Sequence, residues 1–61
     1  MVLIELKQRF GNIYINPEYI ASIANYGDNG STVCIAHDNT PLIVEEKPED
    51  ILNKISTALS Q

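Results

Sequence analysis

The sequence has few of the residues that most often carry chemistry or covalent stabilisation. Its 61 residues include one cysteine, one histidine and no tryptophan, and four basic residues stand against eight acidic ones. Cys34 alone cannot close a disulfide within the chain, so the usual staple of a very small domain is missing. A net charge of −4 disfavours nucleic-acid binding, because Lys and Arg supply most of the affinity for phosphate.

The sequence also lacks an export signal and any apolar run close to the roughly 18 residues of a membrane-spanning helix. Together with the single cysteine, this predicts a cytoplasmic protein without membrane insertion.

No catalytic, metal-binding or phosphate-binding pattern stands out. Cys34 and His37 lie three residues apart in a segment expected to be extended, so their side chains start on opposite faces. That spacing disfavours a shared metal ion or a nucleophile–base pair, and Cys34 is interpreted as a small buried apolar residue. His37 beside Asp38 is typical of a turn. We expect a protein that is not an enzyme and that uses no metal or cofactor.

The hydrophobic period changes at residues 47–50. Before this point, short apolar runs are separated by Gly, Asn, Asp and Pro, and after it Ile51, Ile55 and Leu59 recur every fourth residue, as on one face of a helix. The sequence therefore predicts a single α+β domain over residues 1–61. It contains a small antiparallel meander sheet of four or five strands within residues 2–46, with one C-terminal helix over residues 48–60 packed on one face.

Local turn signals divide the predicted sheet. Residues 10–12 form a turn in a first hairpin, and Asn16 before Pro17 predicts a capped helical corner that ends at Tyr19. Residues 27–30, with the sequence GDNG, suit the positive φ angles of a second hairpin. A further turn over residues 37–40 precedes the last strand over residues 42–44.

The alternation of apolar residues separates two faces of the sheet. The predicted core face, covered by the helix, consists of Val2, Ile4, Leu6, Ile13, Ile15, Ile23, Val33, Ile35, Leu42 and Val44. The opposite face carries apolar side chains too, namely Leu3, Tyr14, Cys34, Ala36 and Ile43. Because a chain of this length buries only about 60% of its unfolded surface, we expect the second face to make a homo-oligomer.

Tyrosines suit wet interfaces, because each combines an apolar ring with a hydroxyl group. The predicted interaction residues are Leu3, Arg9, Tyr14, Tyr19, Tyr26, Cys34 and Ile43. The leading hypothesis is a small regulatory protein that binds, and thereby can inhibit, a protein partner. One alternative is an oligomer that binds a small molecule between subunits through its tyrosines, Asn12 and Arg9. The other is an RNA or DNA regulator, for which Lys7 and Arg9 are the only local basic pair.

Acidic residues concentrate around the expected helix start, at Glu45, Glu46, Glu49 and Asp50. Carboxylates at this position complement the positive end of the helix dipole. A docking patch for a basic partner is the alternative reading of the same cluster. If Glu45 and Glu46 both belong to a strand, they point to opposite faces, which disfavours a pair of cooperating carboxylates.

Residues 13–23 (IYINPEYIASI), the hairpin that follows, residues 42–46 (LIVEE) and the Glu-rich helix start together resemble the FlbD-like small proteins. These are encoded near bacterial flagellar genes, and short phage proteins have a similar layout. The resemblance covers most of the chain and implies a β-meander with a final helix in a bacterial or phage context. The usual Asn/Thr-Gly-Lys turn before the last strand is replaced here by residues 37–41 (HDNTP), and no functional residue is carried over.

Overall fold

The computed structural model describes residues 2–38 and 40–60 and confirms the α+β fold class. In these ranges the elements are β1 (Ile4–Gln8), β2 (Gly11–Ile15), a short 3-10 helix (Pro17–Tyr19), β3 (Ile20–Tyr26), β4 (Gly30–Ile35), β5 (Leu42–Val44) and α1 (Pro48–Leu59). The last element is the predicted C-terminal helix. Among the described residues, no helix combines the length and the apolar character required to cross a membrane.

The strands form two antiparallel sheets, whereas the sequence predicts one meander. One sheet contains β1 and β2, and the other has the order β3-β4-β5. The division falls at the predicted corner, where the side chain of Asn16 caps the 3-10 helix by accepting a 3.0 Å hydrogen bond from the N–H of Glu18. This helical turn carries the chain away from β2. The sheets meet instead where the N–H of Glu45, just after β5, donates to the carbonyl oxygen of Lys7 at 2.7 Å.

The first hairpin turns one residue earlier than predicted. Gln8 pairs with Gly11, so Arg9 and Phe10 form a two-residue loop and Gly11 already belongs to β2. Gly11 has φ 150°, a backbone conformation that other residues rarely adopt. Arg9 consequently lies beyond β1, so the basic pair of Lys7 and Arg9 is not presented on one strand face.

The second hairpin is confirmed. Its loop follows Tyr26, includes Gly27 at φ 68°, and returns at Gly30, which pairs with Tyr26. A Cβ atom at Gly30 would lie 2.7 Å from the carbonyl oxygen of Tyr26 and 3.2 Å from that of Val44. The close approach of three strands at this point therefore requires a glycine.

The turn before β5 is held by backbone and side-chain hydrogen bonds. The N–H of Asp38 donates to the carbonyl oxygen of Ile35 at 3.1 Å, and the Asp38 carboxylate accepts from the N–H of Thr40 at 2.9 Å. His37 adopts a left-handed φ of 70° and is exposed. Asn39, which the sequence places in the same turn, lies outside the described residues.

The core lies between the two sheets and α1. Its buried apolar residues are Ile4, Leu6, Ile15, Val33, Val44, Ile51 and Ala58, and the half-buried residues packed against them are Ile13, Ile20, Ile23, Ile35, Leu42 and Ile55. Nine of the ten predicted sheet residues are in these two groups. Val2 is the exception: it precedes β1 and is 43% exposed.

The predicted helix stripe is wrong at its last position. Ile51 is fully buried and Ile55 packs at the edge of the core, but Leu59 is 56% exposed and Ala58 is buried in its place. Seven residues make almost two complete helical turns, so Ala58 lies nearly above Ile51. Leu59 is turned a further 100° and projects from the side of the helix.

Candidate protein-binding site

An apolar groove runs between β3 and α1. Its volume is about 540 Å³, and its walls come from residues 20–23 of β3 and from Leu52, Ile55 and Leu59 of α1. Pro17, Glu18 and Pro48 complete its lining. We call this recess the β3–α1 groove.

One wall of the groove is the backbone edge of β3. Four consecutive residues, Ile20, Ala21, Ser22 and Ile23, all line it. β3 is the terminal strand of its sheet, and the four residues span the stretch where its register is irregular. β3 is hydrogen-bonded to β4 on its other side, and so its outer edge faces the groove.

The other wall is aliphatic. Leu52, Ile55 and Leu59 are separated by three and four residues, a spacing that aligns side chains along one side of a helix. Leu52 and Leu59 are each 56% exposed. The sequence pattern assigned Leu59 to the core and omitted Leu52, so it missed this row. The sequence did contain a signal for this row, because Leu52, Ile55 and Leu59 recur at helical spacing on a face that is offset from the predicted core stripe.

The edge of β3 lacks two of the features that normally discourage strand pairing, charge and proline. Its sequence, IASIANY, contains no charged residue and no proline. An irregularity in the register between Ile20 and Ser22 disturbs the start of the strand. From Ser22 to Tyr26 the register is regular, and the hydrogen bonds found for this stretch within the described residues run only to β4.

The opposite flank of α1 is closed by polar contacts. The Lys54 ammonium lies 2.9 Å from both carboxylate oxygens of Glu46 and donates to the carbonyl oxygen of Glu5 at 2.7 Å. The backbone N–H of Lys7 also donates to Glu46 Oε2 at 2.8 Å. This network, the Lys54–Glu46 latch, ties the helix to β1 and to the segment after β5. A recess of about 470 Å³ lies beside it.

Glu46 is mostly shielded by its neighbours, with 14% of its side chain exposed. Burial alone would raise the pKa of its carboxyl group, but hydrogen bonds from the Lys54 ammonium and the Lys7 N–H outweigh burial and lower that pKa. Its carbonyl oxygen accepts a 2.5 Å hydrogen bond from the fully buried hydroxyl of Ser31. The acidic cluster is thus divided: Glu46 anchors tertiary structure, whereas Glu49 and Asp50 occupy the first turn of α1.

A polar cluster lies on the outer face of the first hairpin. The Tyr14 hydroxyl donates to Glu5 Oε2 at 3.1 Å, and the Asn12 side-chain amide donates to the same oxygen at 2.6 Å. The hydrogen bond to Glu5 and the charge of its carboxylate raise the pKa of Tyr14. Tyr14 is 63% exposed, so its ring remains available for contacts.

The predicted second face is divided between the two sheets. Leu3 and Tyr14 are exposed on the side of β1 and β2, while Ile43 is exposed on β5. Cys34 is a half-buried free thiol in β4, less enclosed than the sequence interpretation assumed. Ile43 pairs with Thr32, two residues before Cys34, so Cys34 and Ile43 lie on the same side of the β3-β4-β5 sheet, whereas Leu3 and Tyr14 belong to the other sheet.

The remaining predicted interaction residues are dispersed as well. The Arg9 guanidinium lies 5.3 Å from the ring centroid of Phe10 at the tip of the first hairpin. Tyr19 is exposed on the 3-10 helix, and Tyr26 is exposed at the end of β3. Arg9 and Asn12 line a recess of about 450 Å³, whereas Tyr26 lines a different one, of about 400 Å³, with Ile43.

Within residues 2–38 and 40–60, no three His, Cys, Asp or Glu side chains converge as metal ligands. Comparison with protein-family models, curated proteins and solved structures gives no match. Fold and groove together define a small α+β domain with an open strand edge beside an aliphatic helix face.

Proposed function

We propose that this chain is a small non-enzymatic binding module that holds a protein partner in the β3–α1 groove. The observation that supports the proposal is that one recess is bordered by two surfaces that the fold leaves uncovered. An uncharged strand edge forms one wall, and exposed leucines form the other. Apolar recesses with few charges are typical of surfaces that a partner covers.

The proposal includes self-association through a surface other than the groove. Leu3 and Tyr14 are exposed together on the first hairpin and form the surface we assign to a second copy. A cytoplasmic location, which suits the unpaired Cys34, and a bacterial or phage context, which the FlbD-like resemblance implies, complete the proposal.

Site-specific photocrosslinking in the source cells tests the binding role. A photoreactive phenylalanine analogue at position 52 places the probe in the groove, and the same analogue at position 53 is the matched control. Asn53 is also exposed on α1 but lines the recess beside the Lys54–Glu46 latch. We expect a defined covalent adduct with another polypeptide from position 52, identified by mass spectrometry, and none from position 53.

Identical adducts from both positions, or no polypeptide adduct from position 52, would contradict the proposal. Sedimentation of the Leu52→Glu variant at tens of micromolar distinguishes the groove from the surface assigned to self-association. Its mass should equal that of the wild type, because self-association is assigned to the first hairpin. A loss of mass in this variant would place the second copy in the groove instead.

A further inference from the structure

We infer that the β3–α1 groove accepts an extended segment of the partner, which pairs with the outer edge of β3 as a fourth strand and carries a Lys or Arg near Glu18. The inference rests on the proposed function and specifies the chemistry of its ligand.

The first reason is the unpaired backbone of β3. Along an antiparallel edge strand, every second residue directs its N–H and C=O groups away from the neighbouring strand. In the regular stretch from Ser22 to Tyr26, Ile23 is half-buried and the other four residues are exposed. An added strand would satisfy these groups, whereas a helix would leave them facing an apolar ligand surface.

The second reason is the match in length between the two walls. The seven residues from Leu52 to Leu59 advance about 10 Å along the helix axis. Three residues of an extended chain cover about the same distance. Two side chains on one face of the added strand, separated by one residue, are about 7 Å apart. They can therefore contact two neighbouring members of the aliphatic row, such as Ile55 and Leu59 at about 6 Å along the axis, while the backbone pairs with β3.

The third reason is charge. Glu18 is the charged residue among those that line the groove. Its side chain is exposed, and no ion pair to it is found within the described residues. A carboxylate in an otherwise uncharged recess favours a basic residue at the facing position of the ligand.

The same charge disfavours β3 of a second copy as the occupant. β3 has no basic residue to offer. Glu18 would then have no positive charge facing it from the added strand.

The test uses the full chain and a panel of labelled octapeptides. Each has Val, Ile, Leu or Phe at two positions separated by one residue, Ser or Thr at the others, and a Lys pair at one end or the other. Fluorescence anisotropy measures affinity, and hydrogen exchange of the ¹⁵N-labelled protein locates binding. We expect at least one Lys-ended peptide to bind and to protect alternate amides between Ser22 and Tyr26.

Two comparisons sharpen this result. Replacing the Lys pair by a Glu pair should weaken binding about fivefold, and Glu18→Gln should reduce that difference. N-methylation of the ligand amides that pair with β3 should weaken binding about tenfold, whereas methylation of the intervening amides should have little effect.

The inference is overturned if no panel member binds, if Glu-ended peptides bind equally well, or if binding protects no amide of β3. It is also overturned if alternate β3 amides become protected with rising protein concentration and no peptide, because a second copy would then occupy the edge. A crosslink from position 52 without peptide binding would retain the binding role and reject the extended ligand. If position 52 gives no crosslink and no peptide binds, both the binding role and the extended ligand are rejected.

Discussion

The two flanks of α1 differ in what joins them to the rest of the fold. On one flank the Lys54–Glu46 latch reaches both β1 and the segment after β5. On the other flank, Leu52 and Leu59 border the β3–α1 groove and remain more than half exposed. The helix is therefore positioned by one side and left open on the other.

This difference shows how a short chain can keep a binding surface without losing its fold. Directional hydrogen bonds at the latch fix where the helix lies, and the buried Ile51 and Ala58 attach it to the core. Leu52 and Leu59, the exposed members of the aliphatic row, are not needed for either task. Their apolar area stays available for a ligand because the stabilising contacts are on other sides of α1.

The largest expected effect separates the core side of α1 from the groove side. Ile51→Ala should lower the free energy of unfolding by about 2–5 kcal/mol, because it leaves a cavity where the side chain is fully buried. Leu59→Ala, the control, should lower it by less than about 1 kcal/mol, because Leu59 is largely exposed. Urea denaturation measures both, and equal losses would contradict the assigned helix orientation.

A smaller effect is expected from opening the polar flank. Lys54→Met keeps the length of the side chain but removes the ammonium, and it should lower the free energy of unfolding by about 1 kcal/mol. Lys47→Met is the control, since Lys47 is exposed and makes no side-chain cap hydrogen bond at the start of α1. If both variants unfold at the same urea concentration, the latch contributes nothing to stability.

The smallest effect is the pH dependence of the latch. The pKa of Glu46 is lower in the folded chain than its ordinary value of 4.5, so ionisation of Glu46 stabilises the fold. That contribution is present above the ordinary value and is lost as the pH falls through the lowered pKa. Unfolding measured between about pH 6 and pH 3 should therefore show less acid sensitivity in Glu46→Gln than in the wild type.

Asp28→Asn, a change in the exposed loop of the second hairpin, controls for the loss of one negative charge. It should not reproduce the flatter profile of Glu46→Gln. Identical profiles for both variants would show that net charge, and not the latch, sets the acid sensitivity.

Features governed by neighbouring residues were predictable. Asn16 before Pro17 led to the capped corner, the glycines after Tyr26 led to the second hairpin, and Pro48 led to the helix start. Each rests on backbone preferences that act over a few residues. The first hairpin loop differed by one residue because a turn before Gly11 and a turn through it both suit the same sequence.

Features governed by distant residues were not predictable in the same way. The spacing of every fourth residue from Ile51 predicted that Leu59 lies in the core. In the structure Ala58 is buried instead, because it lies nearly above Ile51 on the helix. The contact between Lys54 and Glu46 depends on how α1 docks, and no spacing in the sequence announces it. The division into two sheets likewise follows from where the chain travels after the corner.

The sequence by itself determined an α+β domain with a C-terminal helix, because hydrophobic period, caps and turn residues act locally and agree with one another. Tertiary structure alone decided which side of α1 is latched and which strand edge faces its exposed leucines. Those choices depend on packing between segments far apart in the chain, where rotating the helix by one residue exchanges a core side chain for a groove side chain.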